Sequence, residues 1–352
     1  MSKIIIEDGL SVSQNKGVGQ YTLGMYEILK SLNFDVIMDR KIFLEKIQNA
    51  IIRRIFYLIW LNTVFILKLL FTKNVEYILY TSTLVPIIKL PHIKYISVLH
   101  DILSTVHPEC RTPIQNFHAN LATLSATKFA DKIITVSNFS KQEIIKYFKV
   151  TPQLISVVNS SYSTNLPDEK SAKQNILKDL GLKHKSYILS VATTNKHKNT
   201  QVLIEAFYKI ADIYPDIKLV LVGQTGNYNL NINHKNIIFT GFVTNENLVE
   251  LYKNALIYAF PSLYEGFGTP NVDAQRFKLP VICSDIPVFR EICKNNSAYF
   301  SAPTVKGFSE GLKELLNSEE LRISLINKGI ENYKLYSLEN IKEQLKEALL
   351  NI

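Results

Sequence analysis

The residues best suited to chemistry lie in PSLYEGFGTPNVDAQ, Pro261 to Gln275, directly after an apolar run. Thr269 followed by Pro270 reads as a helix N-cap and first helical position, so a helix is expected to begin there. The unpaired N–H groups and positive dipole end of such a helix form a receptor for a diphosphate. Gly266 and Gly268 let the backbone approach a ligand closely. Glu265 precedes the helix start and Asp273 follows about one turn inside. A carboxylate accepts two hydrogen bonds from a vicinal diol, so the two acids suit a sugar ring and a ribose on either side of the diphosphate. A glycosidase pair is the rival reading, but it needs one carboxyl with a raised pKa, which a polar helix N-terminus does not favour.

Upstream, SVATTNKHKN (190–199) follows another strand-like run. Lys196, His197 and Lys198 there are placed to neutralise a diphosphate. The chain has no D-x-D pattern to hold a metal, so fixed cations must do that work. The plainer alternative is a solvated basic loop. In NKGVGQYT (15–22), Gly17 and Gly19 lie eight residues beyond the first strand-like run with no third glycine, which departs from the dinucleotide fingerprint. They read instead as a flexible loop approaching phosphate or acceptor. His100 and Asp101 end KYISVLH, where the histidine could meet a sugar hydroxyl or be a satisfied structural residue.

The elements that must position these residues are legible as a rhythm. KIIIED (3–8), FDVIMD (34–39), EYILYTS (76–82), KYISVLH (94–100), KIITVS (132–137) and LISVVN (154–159) alternate with helix-length segments. After the polar stretch Ser160 to Lys185, the rhythm restarts with YILSVA (187–192), IKLVLVG (217–223), NIIFTGF (236–242), ALIYAFPS (255–262) and PVICSD (280–285). Such runs predict buried parallel strands covered by helices, in two α/β domains. Ligands bind at the carboxyl ends of strands in such sheets, so two facing sheets would hold the site in a cleft. The expected boundaries are 1–160, 186–330 and a helical tail, 331–352.

The formal charge of +9 is uneven: residues 1–160 hold 18 Lys+Arg against 11 Asp+Glu. A basic first domain suits an anionic partner such as a lipid surface; with no zinc-finger spacing or basic heptads, nucleic acid is not expected. From Lys41 to Lys73 six basic residues and one acid surround the apolar run Ile55 to Leu67. The run reads as too short and interrupted to span a bilayer. Two readings stand: a helix lying in anionic headgroups, with Arg53, Arg54 and Lys68 around Phe56, Tyr57 and Trp60, or a helix buried against the first sheet. Glu7 and Asp8 behind the opening apolar run do not fit a signal peptide, and Cys110, Cys283 and Cys293 form no metal or disulfide framework, so a cytoplasmic protein, peripheral at most at the inner membrane face, is expected.

Taken together, GVGQYT (17–22), VLHD (98–101), ITVSNFSKQEI (134–144), KHKN (196–199), FPSLYEGFGTP (260–270) and VICSDIPVFREI (281–292) resemble glycosyltransferase family 4, retaining enzymes of the GT-B fold. The resemblance implies that Glu265 contacts the transferred sugar and Asp273 the ribose, in an E-x7-E pattern. It implies that Lys198 and His197 hold the diphosphate, and that backbone at Phe267, Gly268 and Thr269 meets donor oxygens. Val243 would lie near the base, the Gly17–Gly19 loop over the phosphates, and His100 against the sugar, with its carbonyl assisting the departing anomeric centre. Asp273 is one methylene shorter than the family's Glu. His197 stands where many members carry Arg, which makes that contact pH-dependent. The implied activity is transfer of a hexose, mannose first, from a GDP- or UDP-sugar to a glycan or lipid-diphosphate-linked acceptor in bacterial surface polysaccharide synthesis, with no metal or cofactor. A nucleotide-sugar epimerase or hydrolase on the same fold, or a silent nucleotide-sugar-binding or assembly subunit, is the alternative.

Overall fold

A computed structural model of the chain describes residues 2–9, 17–39, 41, 44, 47–160, 166–167, 175–191, 195–223 and 234–352. It divides into two compact units, Met1–Asn165 with Leu338–Ile352, and Leu166–Ser337. The division falls inside the polar stretch 160–185, and Leu166, Ile176 and Leu182 of that stretch are buried.

In unit 1 the strands are β1 (Lys3–Glu7), β2 (Asp35–Asp39), β3 (Val75–Tyr80), β4 (Lys94–Val98), β5 (Lys132–Thr135) and β6 (Ile155–Val157). They form one sheet in the order β2-β1-β3-β4-β5-β6, every pair parallel. Ile4 pairs with Val36 on one side, and Ile5 with Ile78 on the other. The isoleucine and valine runs form strands because both faces are covered, leaving no polar alternation to read. Unit 2 contains β7 (Tyr187–Val191), β8 (Lys218–Val222), β9 (Ile237–Gly241), β10 (Ile257–Phe260), β11 (Val281–Ser284) and β12 (Tyr299–Ser301), again all parallel, in the order β12-β11-β10-β7-β8-β9.

The helices used below are α1 (Gly17–Ser31), α2 (Ala50–Asn62), α3 (Val64–Phe71), α4 (Pro113–Phe129), α5 (Thr200–Ala211), α6 (Thr269–Arg276), α7 (Val305–Asn317) and α8 (Leu338–Leu350). One core of unit 2 interleaves Leu203, Phe207 and Ile210 of α5 with Phe308, Leu312 and Leu315 of α7 over the sheet. One core of unit 1 packs Tyr57, Leu61, Phe65 and Leu69 of α2 and α3, and Ala122 and Ala126 of α4, against Ile5, Ile78 and Tyr80. α8 belongs to unit 1: the Gln344 side chain exchanges two 2.9 Å hydrogen bonds with Asn159, and Lys132 Nζ donates to Asn351 O at 3.1 Å.

A buried ionic cluster ties α2 and α3 to the carboxyl ends of β1 and β2. Lys41 Nζ lies 2.5 Å from Glu7 Oε1 and 3.1 Å from Asp8 Oδ1, and Tyr57 of α2 donates to Glu7 Oε2 at 2.9 Å. Lys68 of α3 pairs with Asp39. Burial pushes the Glu7 carboxyl up, against the pull of Lys41. Burial pulls Lys41 down, but Glu7 and Asp8 more than offset it and its pKa ends above the ordinary value.

Candidate functional site

In each sheet the strand order reverses once, between β1 and β3 and between β7 and β10. Such a switch point opens a crevice at the carboxyl ends of the two strands, because the following helices depart to opposite sides. In unit 2 the segments that leave the switch-point strands are 192–199 after β7 and 261–268 after β10. Ala192 to Thr194 of the first lie outside the described residues. Lys196–Lys198 forms a single 3-10 turn closed by Asn199 at φ 54°, and Leu263 N donates to His197 O at 2.7 Å, which fastens one segment to the other.

That fastening brings together Lys198 and Glu265, 67 residues apart. Lys198 Nζ lies 2.6 Å from Glu265 Oε1 and 5.3 Å from the centre of the Phe260 ring. Ser262 Oγ donates to the same carboxylate oxygen at 2.8 Å. Both side chains of the ion pair are mostly but not fully buried, at 20% and 13% exposure, so solvent and a ligand can still reach them. His197 is half-buried beside them.

The helix start lies one residue earlier than the sequence suggests. Thr269 is the first helical residue and Gly268, at φ 90° and ψ 44°, is the cap. A Cβ at Gly268 would sit 2.5 Å from Cε1 of Phe289, so the backbone there is both left-handed and pressed on a neighbour. Phe267 turns its ring inward, edge-on to Tyr336 at 5.3 Å, which leaves its backbone at the helix entrance. Val243 is half-buried in the turn between β9 and the helix Asn245–Asn254.

Asp273 is on α6 as expected, but it is 2% exposed, and its Oδ1 has no hydrogen-bond partner among the described residues. Burial, against a smaller pull from Arg276, pushes its carboxyl up to about 7, which corrects the expectation that the polar helix amino end disfavours a raised carboxyl there. An acid whose folded pKa exceeds its unfolded one keeps its proton longer in the native state, so stability falls as pH rises from about 4 to about 7, by at most ~1.4 kcal/mol per unit. Asp273→Asn should flatten that slope in denaturant titrations at pH 5, 6 and 7.5, and stabilise the protein most at the highest pH. An unchanged slope would show that Asp273 does not titrate in this range.

Two residues escaped the sequence reading. Ser262 orients Glu265, and nothing in its sequence context distinguishes it from any loop serine. Asn271, in the first turn of α6, is fully buried, and neither side-chain polar atom has a hydrogen-bond partner among the described residues. Its position two residues after Thr269 was the available signal, because first-turn side chains face the same entrance as the free N–H groups.

In unit 1, Gly17 and Gly19 are a correction: they form the first turn of α1, not a loop. Asn15 and Lys16 lie outside the described residues. His100, just beyond β4, stands edge-on to Tyr21 of α1 with ring centres 4.6 Å apart. Its Nε2 has no hydrogen-bond partner among the described residues, and burial lowers its pKa, so the imidazole is neutral at pH 7. Its carbonyl accepts from Ser140 Oγ at 3.3 Å, while Asp101 Oδ1 caps the next turn by accepting from Leu103 N at 2.9 Å. Among the described residues no three His, Cys, Asp or Glu side chains gather as a metal site.

Residues 172–332 match the family model of glycosyl transferases group 1. The chain is 28% identical over 258 residues to the O-antigen chain mannosyltransferase RfbU of Salmonella typhimurium, covering 70% of this chain and 67% of that one. It is 26% identical over 240 residues to the serotype-specific mannosyltransferase WbdA of Escherichia coli, covering 64% of this chain but only 29% of WbdA. Among solved structures it is similar to the sucrose-phosphate synthase of Thermosynechococcus elongatus, with TM-score 0.73, 16% identity, and 99% and 98% of the two chains covered. It is also similar to HepE of Anabaena in complex with UDP and glucose, with TM-score 0.72, 16% identity and both chains wholly covered. Together with the two six-stranded parallel sheets, these likenesses show the GT-B fold.

Proposed function

We propose, since residues 172–332 match the family model of glycosyl transferases group 1, that this chain is a retaining glycosyltransferase moving a hexose from a nucleoside-diphosphate sugar to a glycan or lipid-diphosphate-linked acceptor. The observation that carries the reading is the Lys198–Glu265 pair at the β7/β10 switch point, beside the α6 amino end. A cation and an open helix N-terminus suit a leaving diphosphate, and a carboxylate on the same loop suits sugar hydroxyls. Mannose is the first donor sugar to test, since RfbU and WbdA are mannosyltransferases. HepE was solved with UDP, which makes both UDP and GDP the bases to compare.

In this reading the nucleoside diphosphate departs against Lys198 and the α6 N–H groups, while the acceptor hydroxyl attacks from the same face of the sugar and configuration is kept. Within unit 2, Asp273 addresses the ribose, His197 the diphosphate and Val243 the base. No cofactor or metal takes part: the sequence lacks D-x-D, and fixed cations take over charge neutralisation. The reading places the chain in the cytoplasm, peripheral at most at the inner face of the membrane, where a lipid-diphosphate-linked acceptor would be within reach.

The test is a melting-point screen against UDP, GDP and their hexose derivatives, followed by product analysis. A cognate nucleotide at 100 times its Kd adds about 2.7 kcal/mol of stability. The expected result is a shift with one base, EDTA-resistant turnover, and a product whose anomeric configuration matches the donor's. No shift with any nucleotide and no glycoside formed would overturn the proposal.

A further inference from the structure

Helices α2 and α3 are apolar on two faces. Tyr57, Leu61, Phe65 and Leu69 pack into the core of unit 1, yet Ile51, Ile55, Phe56 and Ile59 of α2 face solvent. So do Leu67, Leu70 and Phe71 of α3, the last at 86% exposure. A helix on a soluble surface carries polar residues on its outer face, and single exposed apolar side chains need no explanation, but a continuous stripe does.

The stripe does not end with those helices. On α4, Ile114, Phe117, Leu121 and Leu124 recur at helical spacing and are also exposed, Phe117 at 73%. The helices are neighbours: both pack on the same core, and the Arg54 charge lowers the pKa of His118 on α4, after the larger effect of burial. The segment between them is tied to both, through Ile87 N to Asn62 Oδ1 at 2.8 Å and Val85 N to Ser125 Oγ at 3.1 Å. Ile87 and Ile88 on that segment are exposed too.

Charge identifies the occupant. From Lys46 to Val75, and again from Cys110 to Ala130, the chain contains no Asp or Glu, while it carries Arg53, Arg54, Lys73, Arg111 and Lys128. An apolar face on helices that carry cations and no acid suits an anionic lipid surface, in which the apolar side chains enter the acyl boundary and long basic side chains reach back to headgroups. Ile51–Phe71 is long and apolar enough to cross a membrane, but about a third of it is buried in the fold, and the Tyr57–Glu7 and Lys68–Asp39 bonds anchor its inner face to the sheet.

We propose that α2, α3, the 85–88 segment and α4 form one monotopic docking surface by which unit 1 lies on an anionic bilayer without spanning it. This deepens the proposed function and rests on it for the lipid-linked nature of the acceptor. The experiment is vesicle co-sedimentation of the full chain, comparing phosphatidylcholine with mixtures containing phosphatidylglycerol at low and high salt. The expected result is binding to anionic vesicles at least tenfold above neutral ones, weakened by salt. Arg54→Glu should reduce partition roughly fivefold or more. Phe117→Glu with Leu121→Glu, both at exposed positions, should reduce it at least tenfold with the melting point unchanged.

Absence of binding to anionic vesicles overturns the inference, as does a self-associated chain in sedimentation velocity whose vesicle binding is nil. Wild-type binding by the Phe117/Leu121 variant removes α4 and overturns the composite surface. Donor turnover on a water-soluble acceptor, measured on the same variants, separates the two proposals. Lost lipid binding with turnover intact touches only this inference; lipid binding without any turnover by the wild type touches only the proposed function.

Discussion

Lys198→Ala is expected to lower donor turnover by about 10²- to 10³-fold, the loss seen when one preorganised charge-stabilising donor is removed, equivalent to ~3–4 kcal/mol of transition-state stabilisation. The Lys198 ammonium is held in place on three sides, by Glu265 at 2.6 Å, by the Phe260 ring, and through the Leu263–His197 backbone bond that fixes its loop. A cation so held does not have to reorganise when negative charge develops on a leaving group. Because the side chain is partly exposed and belongs to a surface turn, its loss should move the melting point by only a few degrees. Lys198→Arg keeps the charge but not the shape of the donor, and should recover only part of the rate. Turnover of the alanine variant within tenfold of wild type, at saturating donor, would remove Lys198 from the chemistry. Glu265→Gln gives the complementary reading: it keeps an acceptor for sugar hydroxyls while releasing Lys198, so a loss confined to KM would assign Glu265 to binding alone.

The largest stability effect is expected at the opposite kind of site. Lys41→Met should destabilise unit 1 by about 3–5 kcal/mol, because it strands Glu7 in the core with no cation to offset its charge. For a unit of this size that corresponds to a fall in Tm of roughly 6–20 °C. The deficit has a pH signature. The Glu7 carboxyl is already pushed up by burial with Lys41 beside it, and rises further without it. Native Glu7 then holds a proton that the unfolded chain has released, so the variant loses stability as pH rises above the ordinary carboxylate range and regains part of it in mild acid. Glu7→Gln combined with Lys41→Met should be more stable than Lys41→Met alone. A double variant less stable than the single one would mean that Lys41 contributes by packing against Trp60 and Tyr57 and not through its charge.

These two sites differ in how far the sequence disclosed them. Strands such as IKLVLVG and ALIYAFPS stand out because a strand covered on both faces is apolar at every position, and both occur as β8 and β10. β12 is three residues at a sheet edge, Tyr299–Ser301, too short and too half-buried to leave such a trace. Lys198 and Glu265 were legible as candidates because each follows an apolar run, and a strand's carboxyl end is where α/β sheets deliver side chains. Their 2.6 Å contact was not legible, since it depends on β7 and β10 being neighbours.

Local propensity misled at two places. Glycine's low helix propensity made Gly17 and Gly19 read as a loop, but the rest of α1 carries them into its first turn. Thr269 has a capping side chain, yet Gly268 takes the cap because only it tolerates a φ of 90°. Depth is the property a linear pattern carries least. The motif places Asp273 on α6 but does not say that its carboxyl is buried, and periodicity on α4 marks an apolar stripe without saying which way it faces.

α8 and the residues just after it follow the whole of unit 2 in the chain yet supply a part of unit 1, through Gln344 to Asn159 and Asn351 to Lys132. Ribosomal synthesis proceeds from the amino end at ~5–20 residues per second. The first-made unit therefore emerges unfinished and waits while more than 170 further residues are translated, whereas the second, contiguous from 166 to 337, has all its pieces first. A nascent chain of this protein has its later-encoded half ready to fold to completion before the earlier one.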